Sequence, residues 1–122
     1  MTASRKPRIL IVDDEALVLE IACMEFEDAG FDVLAASDGT TALELIGGDP
    51  DIDLLFTDIR MPGTIDGWAL AQSGRQLRAQ LPVIYATGFS ADTPRMVDDA
   101  LFFTKPYRLG QIVEAAQRLL GG

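Results

Sequence analysis

The sequence predicts a doubly wound α/β fold with a parallel sheet, and three observations carry that expectation. Five short stretches rich in branched or aromatic residues alternate with five stretches of helical spacing. Several of the strand-like stretches are apolar throughout, as strands covered on both faces are. All six prolines (Pro7, Pro50, Pro62, Pro82, Pro94 and Pro106) fall at the edges of these elements and none inside. A length of 122 residues suits one domain, and 48% hydrophobic residues suffice for one core.

The elements follow in order. Residues 1–7 form a short basic tail without the apolar centre of a signal peptide, and residues 8–120 the domain. "RILIV" (8–12) is the first strand. From Glu15 to Ala29, Val18, Ile21, Ala22, Phe26 and Ala29 share a helical face, with Glu25 near its middle and Gly30 as the stop. "DVLAA" (32–36) is the second strand, and "TTALELI" (40–46) is a helix that ends at Gly47-Gly48. "LLFT" (54–57) is the third strand. Asp66 then caps a helix over 67–80, which Gly74 weakens. "PVIYAT" (82–87) is the fourth strand. "PRMVDDA" (94–100) places proline at the first position of a fourth helix. "LFFT" (101–104) is the fifth strand, and a last helix over 108–120 has Leu109, Ile112, Ala116 and Leu119 on one side. The strand connections are expected to cross over right-handed.

Composition narrows the chemistry. A net charge of −9, from 19 acidic and 10 basic residues, argues against a nucleic-acid surface. No apolar run approaches the roughly 18 residues of a membrane span, so a cytoplasmic location is expected. One cysteine, Cys23, allows no internal disulfide and no thiolate cluster. With no histidine, any bound metal must be a hard, oxygen-seeking cation, and the chain cannot form a phosphohistidine or a histidine-based triad.

In open α/β sheets ligands bind beyond the carboxyl ends of the strands. The first strand here ends in Asp13 and Asp14, the third in Asp58, the fourth in Thr87 and the fifth in Lys105. Each alone has an ordinary explanation. Asp14 can cap a helix, Thr87 can be a β-branched strand residue, and Lys105 can be a surface lysine. Asp58 resists one, because a carboxylate ending a buried strand is costly unless paired or solvated. On one sheet edge the five make a pocket. Clustered carboxylates repel unless their pKa values rise or a cation binds, and oxygen-only ligands favour Mg²⁺. Adding an ammonium and a hydroxyl suits the pocket to phosphoryl oxygens. A carboxylate can attack phosphorus itself, and Asp58 is the candidate nucleophile.

These residues carry a family likeness. "ILIVDDE" (9–15), "LLFTDIRMPG…DG" (54–67), "VIYATG" (83–88) and "FFTKPY" (102–107), in this order, resemble the response-regulator receiver domain of two-component signalling, a CheY-like family, over about Arg8 to Leu120. The resemblance implies a flavodoxin-like sheet of order 2-1-3-4-5 and a phosphorylation-controlled switch, not a turnover enzyme. It makes Asp58 the phosphoacceptor. Asp14, Asp58 and the backbone carbonyl of Arg60 would hold Mg²⁺, with Asp13 acting through water. Thr87 would bind a phosphoryl oxygen, and Lys105 would pair with the free or phosphorylated aspartate. Phe102 takes the place of the switch aromatic, and the Lys105–Pro106 bond is expected to be cis. A histidine kinase or histidine phosphotransfer protein would donate the phosphoryl group. The face of the fourth helix, fifth strand and fifth helix would meet the output target.

Some residues depart from the family's commonest pattern. The loop "PGTIDG" (62–67) is one residue longer, Gly88 replaces a small alanine, and Phe102 lacks the hydroxyl of a tyrosine. Arg60 and Phe89, each two residues beyond a site residue, are expected to flank the path of attacking water and to lengthen phosphate lifetime. Two other readings compete. An aspartate-nucleophile phosphatase of the haloacid dehalogenase type would need a second aspartate where Arg60 stands. A receiver-like binding module working without phosphorylation would usually have lost the acids, the threonine or the lysine.

Overall fold

The computed structural model describes residues 6–87 and 96–121. Five parallel strands form one sheet: β1 (Arg8–Val12), β2 (Asp32–Ala36), β3 (Ile52–Asp58), β4 (Val83–Thr87) and β5 (Leu101–Thr104). Their order is β2-β1-β3-β4-β5, as expected, so the strand order reverses beside β1 and β3. The helices among the described residues are α1 (Ala16–Asp28), α2 (Gly39–Gly48), α3 (Gly67–Leu77) and α4 (Leu109–Leu119). The last occupies the place foreseen for a fifth helix.

Two apolar layers sandwich the sheet. Leu10, Leu55, Val83 and Tyr85 pack on one face against Ala42 and Ile46 of α2 and Trp68, Leu70 and Ala71 of α3. Ile9, Ile11, Leu54, Phe56 and Ile84 pack on the other against Ala22 and Phe26 of α1 and Ile112 and Ala116 of α4. Successive side chains alternate between faces, so an apolar run such as Ile9–Val12 fills both layers at once.

Boundaries follow from local chemistry. Asp38 and Asp66 cap α2 and α3, accepting hydrogen bonds from the Thr41 and Ala69 N–H groups at 2.7 and 2.9 Å. Gly30, at φ +98°, closes the turn after α1 in a conformation costly for other residues. Helix α3 stops at Leu77 instead of reaching residue 80, because Arg78 turns extended. The buried face of α1 is narrower than the spacing suggests: Ala22 and Phe26 are buried, whereas Ile21 and Ala29 are exposed.

One expected element differs. Of the helix foreseen over 94–100, residues 94 and 95 lie outside the described residues, and Met96–Ala100 is a turn. Asp99 sits there at φ +63°, which a helix does not tolerate. Other partners hold this stretch. Tyr85 Oη accepts a hydrogen bond from the Val97 N–H at 3.1 Å, and Arg75 donates to the Asp98 carbonyl at 2.9 Å.

Candidate functional site

The carboxyl ends of β1 and β3 bring the predicted acids together. Single carboxylate oxygens of Asp13, Asp14 and Asp58 lie within 4.8 Å of one another. Asp13 and Asp58 are buried and Asp14 is exposed. Backbone donors fix the two buried groups. Asp13 Oδ1 accepts from the Glu15 N–H at 2.9 Å, and Asp58 Oδ1 from the Ile59 N–H at 2.8 Å. Asp14 is not spent on capping, since α1 begins after Glu15 with no side-chain cap.

The end of β3 is held from behind by α3. The Gly67 N–H donates to the Ile59 carbonyl at 2.8 Å. A Cβ at Gly67 would lie 2.3 Å from the Asp58 carbonyl oxygen and 2.7 Å from Ile59 Cα, so the first turn of α3 reaches the acceptor strand only because it carries no side chain there. The Thr57 hydroxyl donates to the same Asp58 carbonyl at 2.8 Å.

The electrostatics follow from burial and crowding. Desolvation, then the charge of Asp13, pushes the Asp58 carboxyl up to about 6, against an opposing pull from Lys105. Burial likewise raises Asp13, opposed by the Glu15 hydrogen bond and Lys105. At neutral pH Asp58 is still mostly ionised, in a place that disfavours the charge. An oxygen-only donor set holding excess negative charge fits a hard divalent cation.

The remaining predicted residues fall as follows. Lys105 follows β5, its Nζ 3.9 Å from Glu15 Oε1, and the Lys105–Pro106 bond is cis as expected. Thr87 closes β4 opposite Thr104, and its side chain lies outside what is described. Phe89 also lies outside the described residues. Arg60 is exposed and lines, with Asp14, Pro62 and Asp66, a cleft of about 520 Å³ beside the acids. Phe102 is half-buried, its ring 6.1 Å from the Trp68 indole and 15° off parallel.

Sequence reasoning missed two neighbours of the site. Glu15 is the carboxylate that Lys105 approaches. Tyr107 lies near enough to Asp13 and Asp58 to feel both. Burial first, then those two charges, pushes its phenol up to about 12 and keeps it neutral. Its position after Lys105-Pro106 was the available signal.

Comparison with known proteins identifies the family and the fold. The family model for the response regulator receiver domain matches residues 9–117. The response regulator receiver protein CpdR of Brucella abortus is 32% identical over 93% of this chain and 96% of its own length. The chain spans about half the length of two other curated relatives, both described as transcriptional regulatory proteins. A solved response regulator receiver protein from Sinorhizobium medicae is 34% identical, with a TM-score of 0.90 over 96% of each chain. The response regulator protein TrrA from Thermotoga maritima, solved in complex with Mg²⁺-BeF, is 28% identical, with a TM-score of 0.82 over 93% of this chain and 98% of that one.

Proposed function

Because the chain belongs to the response regulator receiver domain family, we propose that it is a signalling switch accepting a phosphoryl group on Asp58 from a partner's phosphohistidine. The observation that carries this reading is the meeting of Asp13, Asp14 and Asp58 within 4.8 Å, beside Lys105, at the carboxyl edge of a parallel sheet. No histidine occurs in the chain, so the donor is external: a histidine kinase or a phosphotransfer protein.

Each residue takes a distinct part. The Ile59 N–H holds Asp58 Oδ1, which leaves Oδ2 to attack. A bond forms from Oδ2 to phosphorus as the donor's nitrogen–phosphorus bond breaks and its electron pair returns to the imidazole. Asp13, Asp14, Asp58 and the backbone carbonyl of Arg60 would hold Mg²⁺, Asp13 through water. When bound, the cation offsets the charge of the acids and of the phosphoryl oxygens. Lys105 and Thr87 supply an ammonium and a hydroxyl to those oxygens. Their attraction to the new dianion would draw Lys105 away from Glu15. Phe102 then reports the change to an output face built from the segment before β5, β5 itself and α4, where Met96 and Leu101 are exposed. Arg60 and Phe89 would slow phosphate loss by crowding the path of water. The domain spans residues 8–120 and follows a short tail at 1–7. No helix among the described residues is long and apolar enough to cross a membrane, and we place the domain in the cytoplasm.

The test is intact mass after incubation with acetyl phosphate. The wild type is expected to gain one phosphoryl group only when Mg²⁺ is present, and Asp58→Asn to gain none. An adduct retained by Asp58→Asn would move the acceptor elsewhere. No adduct, even from a phosphotransfer protein, would turn the reading toward an unphosphorylated binding module.

A further inference from the structure

The chain has one tryptophan, Trp68, and it sits where two parts of the molecule touch. It follows Gly67, whose backbone is wedged against the carbonyl of Asp58. Its indole, 3% exposed, lies 4.8 Å from the Tyr85 ring and nearly parallel to Phe102 at 6.1 Å. Tyr85 and Phe102 are direct neighbours across the β4–β5 pair. The Tyr85 hydroxyl in turn receives the Val97 N–H of the segment leading into β5. A chain of packed groups therefore runs from the acceptor's own backbone, through the first turn of α3, to the aromatic on β5.

Trp68 Nε1 is buried and has no hydrogen-bond partner among the described residues, so its contacts here are those of the indole ring with Tyr85 and Phe102.

We propose that Trp68 is a positioning residue that couples Asp58 to Phe102 through the first turn of α3. This rests on the reading of Asp58 as a phosphoacceptor. Shifts at the end of β3 pass to Gly67, because the close approach there leaves no slack. They reach Phe102 through the face of the indole.

Because Trp68 is the sole tryptophan, its fluorescence reports on this contact directly. The full chain is loaded with Mg²⁺ and acetyl phosphate, and emission is compared at equal adduct fraction by intact mass, with Mg²⁺ alone as the baseline. The wild type is expected to shift its emission maximum on phosphorylation. Phe102→Leu, which removes the ring, is expected to lose the shift, and Phe102→Tyr, which restores it, to recover it. A wild type that carries the adduct with unchanged emission would overturn the coupling and leave the acceptor reading intact. A shift that persists in Phe102→Leu would do the same. Absence of any adduct, from acetyl phosphate or a phosphotransfer protein, would overturn both.

Discussion

The two ends of the sheet each gather three aspartates, and they treat them in opposite ways. At the amino end, Arg8 answers all of them. Its backbone N–H donates to Asp53 at 2.8 Å, Nε and Nη2 meet Asp32 at 2.7 Å, and Nη1 meets Asp49 at 2.8 Å. At the carboxyl end, Asp13, Asp14 and Asp58 crowd together, and Lys105 makes its ion pair with Glu15. The residue type and the sheet are the same. The difference is burial. Desolvation raises the carboxyl pKa values of Asp58 and Asp13, with the charge of Asp13 adding to the rise at Asp58 and Lys105 opposing it only in part. Asp32 and Asp49, by contrast, are partly exposed and bonded to Arg8. A fold selected for stability alone would treat both ends like the first. Buried, crowded carboxylates at a strand end, with raised pKa values, are the mark of a site for a cation or a reactant.

The largest effect should come from the backbone that supports the charged end. Gly67→Ala would press a methyl group onto the Asp58 carbonyl and Ile59 Cα, both of them backbone. We expect a loss of about 3 kcal/mol in denaturant unfolding, at the upper end of overpacking costs. Gly48, at the end of α2 near the amino end, has nothing within 4 Å of a Cβ. Gly48→Ala should be neutral or slightly stabilising. Equal losses at the two positions would mean that Gly67 is not the wedge described above.

A smaller effect of opposite sign is expected at the acceptor. Asp58 binds its proton more tightly in the folded chain, with a pKa raised from 3.8 to about 6. Its contribution to stability is therefore complete below about pH 4 and is lost as pH rises through 6. Asn keeps the carbonyl oxygen that receives the Ile59 N–H and carries no charge. In metal-free buffer at pH 7, Asp58→Asn should be more stable by about 1–2 kcal/mol, discounted for solvent at the open mouth of the site. Thermal unfolding from pH 4 to 8 would show this gain growing from nearly nothing. A variant less stable than the wild type at pH 7 would mean that the charge is already compensated.

Much of this was legible in the sequence, and the exceptions have physical causes. The strands were readable because apolar residues in short runs bounded by proline and glycine leave few alternatives. The acids Asp13, Asp14 and Asp58 were readable because a charge after a buried run is conspicuous. The stretch 96–100 was misread because "PRMVDDA" has helix-compatible residues, while its described conformation depends on Tyr85 and Arg75, distant in sequence. The exposed face of α1 was misjudged for a related reason: the periodicity gives a stripe, but only the width of the partner layer decides how much of it is covered. Trp68 gave no sign of its role, since an aromatic after an aspartate-glycine pair reads as ordinary core. Its contact with Phe102 depends on which strand lies beside β4.

The smallest effect should fall at the amino end, where the ion pairs are partly exposed. Arg8→Met would keep most of the aliphatic stem and remove the guanidinium that holds Asp32 and Asp49, while its backbone N–H still serves Asp53. Asp32 and Asp49 would lose the guanidinium between them, and the added repulsion is one that salt screens. We expect a fall in Tm of a few degrees at low ionic strength, and one that shrinks on adding NaCl. The phosphoryl adduct should form at the wild-type rate, since the change lies at the far end of the sheet. If Arg8→Met slowed phosphorylation as well, the two ends would be coupled, and the contrast drawn between them would reduce to a difference in degree.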